Sequence, residues 1–329
     1  MKIALTGDVM LGRLVDQYVI QNRSVRPEAL WGGVLPVLLD ADIRLINLEC
    51  VISRQGEEWH PVTKTFHFRA RPRAMEFLSA AKINGVTLAN NHVLDYGPAA
   101  LLDCFTLLDQ AGIKRTGAGA TIEEALAPFV LDMPENRVAV LALTDNEPEW
   151  EATRTKPGVN YVRYGDSGLK EPYRSRMTQT LLSMRQQAGL AIVSAHVGPN
   201  WGAPSKAIQA VAHDLIDMGA DLYWGHSNHT PQGIELYKGK AILYSTGDFV
   251  DDYMIDQEER NNLSFLFMLE VEQGRIVRIR LLPTCIEDLG VRSANERERQ
   301  FLFRTMEGKC KALGTAMGVA GQVGTIYVK

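Results

Sequence analysis

Six side chains in this sequence have the chemistry of metal ligands. Asp8 and Glu49 offer anionic oxygens, Asn91 a neutral carbonyl oxygen, and His196, His226 and His229 imidazole nitrogens. Oxygen donors mixed with imidazole suit Zn, Mn or Fe, whereas calcium takes oxygen ligands and would not gather three histidines. A carboxylate bridging two such ions holds them about 3.5–4 Å apart, a spacing that activates water and stabilises both attacking and leaving oxygens. The implied chemistry is hydrolysis or phosphoryl transfer on an anionic small molecule or polymer, served by one or two divalent transition-metal ions.

Taken singly, each residue has a plainer reading: Asp8 can cap a helix, Asn91 can make a turn, and a lone histidine is usually structural. Their placement is less ordinary. In Gly225-His226-Ser227-Asn228-His229 two imidazoles leave one tight loop, directly after the strand-like Asp221-Leu222-Tyr223-Trp224. Ala89-Asn90-Asn91-His92 also follows a strand-like run and precedes a helix, setting a ligand beside a proton donor, so His92 is the candidate general acid. Asp95 stands three residues on, where it either orients the His92 ring or caps the helix beginning at Pro98.

The elements that must hold these residues read as an α/β alternation. Short apolar runs predict strands at 2–7, 44–50, 85–90, 137–145, 190–197, 221–226 and 241–246. Apolar residues at helical spacing predict helices at 72–83, 97–111 and 205–219. Asp8, Glu49, Asn91, His196 and His226 then fall at or just past strand C-termini, where open α/β sheets form their ligand crevice. Residues 263–284 read as a hairpin turning at Gln273-Gly274, placed near a sheet edge, followed by a charged helix at about 293–313 and a closing strand, Thr325–Val328.

Across 329 residues, 46% hydrophobic and 22% charged, the chain has the balance of a globular protein with a sizeable core. A net charge of −4 excludes a nucleic-acid binder that relies on a broad basic face. Cys50, Cys104, Cys285 and Cys310 are widely spaced and read as reduced thiols. The start at Met1-Lys2-Ile3 reads as a strand without a leader, and no long uncharged apolar run predicts a membrane span, so a cytoplasmic location is expected. The sequence leaves the oligomeric state open.

Several blocks together resemble a known family: Gly7 through Arg13, Asn47-Leu48-Glu49, Ala89 through Gly97, His196-Val197-Gly198, Gly225 through His229, and Tyr244 through Phe249. They look like the CapA-type capsule-synthesis proteins associated with poly-γ-glutamate, distant relatives of calcineurin-like metallophosphoesterases. The resemblance spans most of the chain. It implies a four-layer α/β/β/α sandwich with mixed sheets, formed by one domain over 1–329 with 285–329 as a helix-plus-strand extension.

It further implies Asp8 and His229 as ligands of a first ion, Glu49 as the bridging carboxylate, and Asn91, His196 and His226 on a second. The phosphoesterases open with Asp-x-His, whereas here the histidine position holds Met10, which thins the first site. Val197-Gly198-Pro199-Asn200 and Ser227-Asn228 also depart from the family, which has a Trp and a Glu near the first segment and His-Pro in the second.

For the substrate's anionic group the candidates are Arg13, Lys64 and Arg69; a solvated lysine and a structural arginine are the plainer readings. Alternation over Thr63–Arg69 predicts a strand, with Lys64, Phe66 and Phe68 on one face and Thr65, His67 and Arg69 on the other. His60, His67 and His213 are assigned to structure or solvent, and Trp201 to the pocket rim or to packing. The functional expectation is a metal-dependent hydrolase of a phosphoester, acyl-phosphate or γ-glutamyl-type bond in an anionic substrate, a glutamate-rich one among the candidates. The alternatives are a non-catalytic metal- and polymer-binding accessory protein and, last, a metal-dependent nuclease.

Overall fold

The computed structural model describes residues 1–59, 64–134 and 136–328. Two mixed sheets carry the fold. The larger has ten strands. At its centre Lys2–Val9 pairs in parallel with Ile43–Leu48, which leads to Gly85–Thr87 and Lys114–Thr116. On the other side Lys2–Val9 pairs antiparallel with Leu263–Glu272, followed by Arg275–Glu287, Val323–Tyr327 and Gly318–Ala320. The six-stranded second sheet has Asn136–Thr144, Leu190–His196, Leu222–His226 and Lys240–Leu243 parallel at its centre, with Phe129–Met133 and Ile234–Tyr237 antiparallel at its edges.

Residue alternation explains how the sheets stack. Ile3, Leu5, Ile43 and Leu45 of the larger sheet share one apolar core with Val138, Val140, Ile192, Leu222 and Trp224 of the smaller. Their neighbours Ala4, Ile46, Leu48, Ala139, Leu141, Val193 and Tyr223 belong to the other core, with helix residues. Strands buried on both faces read as continuous apolar runs, which is why the sequence marked them so clearly.

The helices sit close to expectation at Ala74–Ala80, Gly97–Gln110, Lys206–Asp217 and Glu296–Ala312. Lys206–Asp217 starts where the Ser205 hydroxyl accepts the Ile208 N–H at 3.2 Å, and buries Ile208, Val211, Ala212 and Leu215. A further helix, Tyr173–Gln187, escaped prediction because its buried stripe is thin, Tyr173, Met177, Leu181 and Met184 in a polar sequence. Among the described residues no helix is long and apolar enough to cross a membrane.

Three expectations need correction. The hairpin around Gln273-Gly274 is not at the sheet edge, because Leu263–Glu272 pairs with the central Lys2–Val9 and two more strands lie beyond Arg275–Glu287. The strand expected at 241–246 stops at Leu243, and the chain crosses at Gly247 (φ +66°) to the larger sheet as Asp248–Val250. Residues 64–68 form no strand: Phe66 is exposed and Phe68 buried, and only Arg69–Ala70 pairs, with Val51–Ile52. His60 and Thr63 lie outside the described residues.

Candidate metal centre

Asp8 sits in register with Asn47 on one side and Asp248 on the other. Glu49 follows Leu48 directly, while His196 and His226 are register partners at the ends of neighbouring strands in the second sheet. The strand ends of both sheets therefore meet. Gly7 permits the close approach before Asp8, since a Cβ there would lie 2.0 Å from the Gly247 carbonyl oxygen. Gly225 does the same before His226, where a Cβ would lie 2.2 Å from the Tyr244 carbonyl oxygen.

Ligand atoms of Asp8, Glu49 and His196 all lie within 4.8 Å of one another, in a group that can hold a metal ion. His226 joins through Nδ1, 2.6 Å from Asp8 Oδ1. Asn91 Oδ1, Asp8 Oδ2 and His226 Nε2 are buried with no hydrogen-bond partner among the described residues. Buried polar atoms are normally satisfied, so three orphans of the kinds a divalent transition ion takes fit such a group. Met10 is wholly buried, and its sulfur accepts the Gly12 N–H at 3.0 Å, so it packs and supports the chain.

The charges are set against one another. Burial pushes the Asp8 carboxyl up, but His226, His196 and Asn47 hold it down at about 2. Burial and the neighbouring Asp8 drive Glu49 well above the usual carboxylate range, and burial lowers His196 to about 3. Burial also opposes a charge on His229. The Asp248 carboxylate, 3.0 Å from its Nδ1, nevertheless pushes that imidazole up to about 10. His229 lines the cleft, and ligating an ion there requires it to give up its proton.

His92 Nδ1 lies 2.6 Å from Asp95 Oδ2, and its ring stacks on Phe68 at 3.8 Å between centroids. Tyr96, at the N-cap of the Gly97–Gln110 helix, makes no side-chain cap bond, and Asp95 is spent on His92, Lys64 and the Phe68 N–H. Of its two readings, the orienting one is the arrangement observed. Burial pushes Asp95 up to about 6 and His92 well below its ordinary value.

The anion candidates separate. Arg13, left-handed at φ +50°, lines a cleft of about 630 Å³ together with Glu49, Asn91, His92, His196 and His229. Its Nε is 3.3 Å from Asp252 Oδ2, and its guanidinium lies over the Phe66 ring at 5.0 Å. Lys64 also lines the cleft, but its ammonium is committed to the Asn91 carbonyl and to Asp95 Oδ1 at 2.6 Å, a strut beneath the His92 loop rather than a free clamp. Arg69 does not reach the cleft: its guanidinium covers the Tyr96 ring at 4.0 Å and bonds the Gln55 and Gly56 carbonyls. His213 is structural, stacked on Tyr237 and bonded to Glu235, His67 packs edge-on against Tyr96, and Trp201 stands at the rim.

Sequence reasoning overlooked Asn47 as an individual residue. Its Nδ2 donates to Asp8 Oδ1 at 2.8 Å and lies 3.2 Å from His196 Nδ1, tying the sheets together. A polar residue inside the buried run Leu45-Ile46-Asn47-Leu48 was the available signal. Asp248, which holds His229, and Tyr253, whose hydroxyl donates to Glu49 Oε2 at 3.3 Å, were overlooked too.

Residues 2–253 match the family described as bacterial capsule synthesis protein PGA_cap. A probable polyglutamine synthesis accessory protein of Mycobacterium tuberculosis is 34% identical over 353 residues, covering 95% of this chain and 92% of that protein. The capsule biosynthesis protein CapA of Bacillus anthracis is 28% identical over 253 residues, covering 76% of this chain and 59% of its own length. A solved structure of a hypothetical protein from Thermus thermophilus superposes with a TM-score of 0.52 at 15% identity, over 87% of this chain and all of that one. That likeness bears on the fold alone.

Proposed function

The chain belongs to the family of bacterial capsule synthesis proteins, and from that membership we propose a metal-dependent hydrolase that cleaves a phosphoester, acyl-phosphate or γ-glutamyl-type bond in an anionic substrate. The observation that carries the reading is the set of buried ligand atoms without a hydrogen-bond partner among the described residues, Asp8 Oδ2, Asn91 Oδ1 and His226 Nε2, beside the Asp8, Glu49 and His196 group. Glu49, Asn91, His196 and His226 would hold one ion, with Asp8 beside them, and Asp8 and His229 would form the thinner site for another. A divalent Mn, Zn or Fe there supplies Lewis acidity toward substrate oxygens and a means of activating water.

The chain's own residues do the rest. Arg13 receives the anionic group: its Nε is tied to Asp252, and its Nη nitrogens have no partner among the described residues. Asp95 holds the His92 Nδ1 proton and so leaves Nε2 as an acceptor. Because burial keeps this ring neutral, His92 would take a proton from the attacking water and pass it to the leaving group, a base that becomes the acid. Lys64 fixes the loop on which Asn91 and His92 stand.

The test uses purified protein, stripped and reloaded with Mn, Zn or Fe, on phosphomonoesters, phosphodiesters and γ-glutamyl compounds. Turnover of one class that depends on the metal supports the proposal. Absence of turnover with every metal, alongside tight binding of poly-γ-glutamate, would overturn it in favour of a non-catalytic accessory role like that for which the mycobacterial relative is named.

A further inference from the structure

Three exposed apolar side chains from distant parts of the sequence line the candidate catalytic cleft: Phe66, Trp201 and Met254, with the exposed Ile255 directly after the last. Met254 is 92% exposed. Exposed apolar residues are ordinary when scattered singly, but a group gathered on one cleft marks a binding surface. Core packing does not explain them, since the cleft's interior is already built by Phe68 and Tyr253.

The charges at the same cleft restrict what can cover this rim. Its lining holds two flexible cationic side chains, Arg13 and Lys64, the His229 imidazole paired with Asp248, and two carboxylates, Glu49 and Glu147. Lys64 is committed to Asn91 and Asp95. A polymer with a carboxylate on every residue would find Arg13, His229 and the ion for one or two of its carboxylates, but the rest would pass Glu147 and bare hydrocarbon, losing hydration without compensation. An anion with one apolar body meets no such conflict, because its head can lie by Arg13 and the metal ligands while its hydrocarbon covers the rim.

Resting on the proposed anion-hydrolase reading of this cleft, we propose that the substrate is an amphiphilic anion, a phosphate or carboxylate head carried on an aliphatic or aromatic body, rather than a segment of polyanion. Phe66 has a double part, since its ring supports the Arg13 guanidinium at 5.0 Å as well as facing the substrate.

Calorimetric titration of Mn-loaded protein with methylphosphonate, hexylphosphonate and a γ-linked glutamate tetramer tests this without turnover, because a carbon–phosphorus bond resists ester hydrolysis. Hexylphosphonate is expected to bind at least about tenfold more tightly than methylphosphonate, equivalent to about 1.4 kcal/mol. In the Met254→Ser/Ile255→Ser double variant the ratio of the two constants should fall below about threefold, with circular dichroism and metal content checking that the fold is intact. A ratio below about threefold in the unaltered protein, a ratio unmoved in the variant, or tighter binding of the tetramer would each overturn the inference. Binding of methylphosphonate without any gain from the chain sinks this inference alone. Binding of neither phosphonate sinks the anion-hydrolase reading with it.

Discussion

Asp8 sits at the junction of two opposed demands: full burial disfavours its charge, while His226, His196 and Asn47 hold it as a carboxylate at about 2. An anion kept so deep, with its Oδ2 unpartnered among the described residues, is suited to receive a cation. The same argument divides the histidines by function. His226→Ala removes one of the two partners of Asp8 Oδ1 and, in Nε2, a candidate ligand atom, so the purified variant should contain well under half the metal of the parent by elemental analysis. Full metal content would remove His226 from the ligand set. His92→Ala should keep the metal and lower turnover by about 10²–10⁴, the usual worth of a positioned acid–base group. Asp95→Asn should fall in the same direction while sparing metal content, because the amide can no longer hold the Nδ1 proton in the same way.

At the scale of elements, the site depends on how closely strand ends approach. Gly225→Ala would drive a methyl group into the Tyr244 backbone beside His226, so it should lower stability by about 1–3 kcal/mol and weaken metal binding together. Gly308→Ala is the contrast: it lies inside the Glu296–Ala312 helix with nothing within 4 Å of its added Cβ, and should raise stability by about 0.5–1 kcal/mol in chemical denaturation. These strand ends are also where the sequence was most legible. Asp8, Glu49, His196 and His226 stand out as polar residues that close apolar runs, so their strands and their convergence could be read together. Asn47 could not be ranked, because a polar residue within a buried strand gives no sign of which sheet it bridges. Lys64 and Arg69 could not be told apart for a related reason: residues 64–68 alternate in sequence but form no strand, so alternation did not decide which cation meets the cleft. The helix Glu296–Ala312 carries its own signal in the Asn295/Glu298 capping box, and it has a pH signature. Hydrogen bonding to Arg292 holds Glu298 down at about 2, so its contribution is complete above the ordinary unfolded value of about 4.3 and is lost as pH falls toward 2. The stability difference between the parent and Glu298→Gln should therefore be largest near neutrality and shrink between pH about 4 and 2.

For the whole molecule, the question is whether residues beyond the family match at 2–253 are an appendage or a part of the fold. Leu302, Met306, Cys310 and Ile326 sit in the core shared by both sheets, and Val323–Tyr327 pairs with Arg275–Glu287. The same segment reaches toward the metal loop: Lys309 donates to the Pro231 carbonyl at 2.7 Å, two residues past His229, and Cys310 Sγ accepts the Ile234 N–H at 3.3 Å. We expect removal of residues 295–329 to expose the inter-sheet core and abolish a cooperative thermal transition, where an appendage would leave it intact. Because a chain that fails to fold says little about coupling, Met306→Ala is the finer probe. Its side chain is buried in the core shared by the sheets, so the cavity should cost about 2–5 kcal/mol while metal content per folded molecule stays at the parent value. Lys309→Met removes the strut to Pro231 and keeps most of the volume, so it should do the reverse, with a small change in stability and a measurable loss of metal affinity. Were both variants to lose stability and metal in parallel, the helix would support the site only by holding the fold together, and its contacts behind His229 would carry no separate weight.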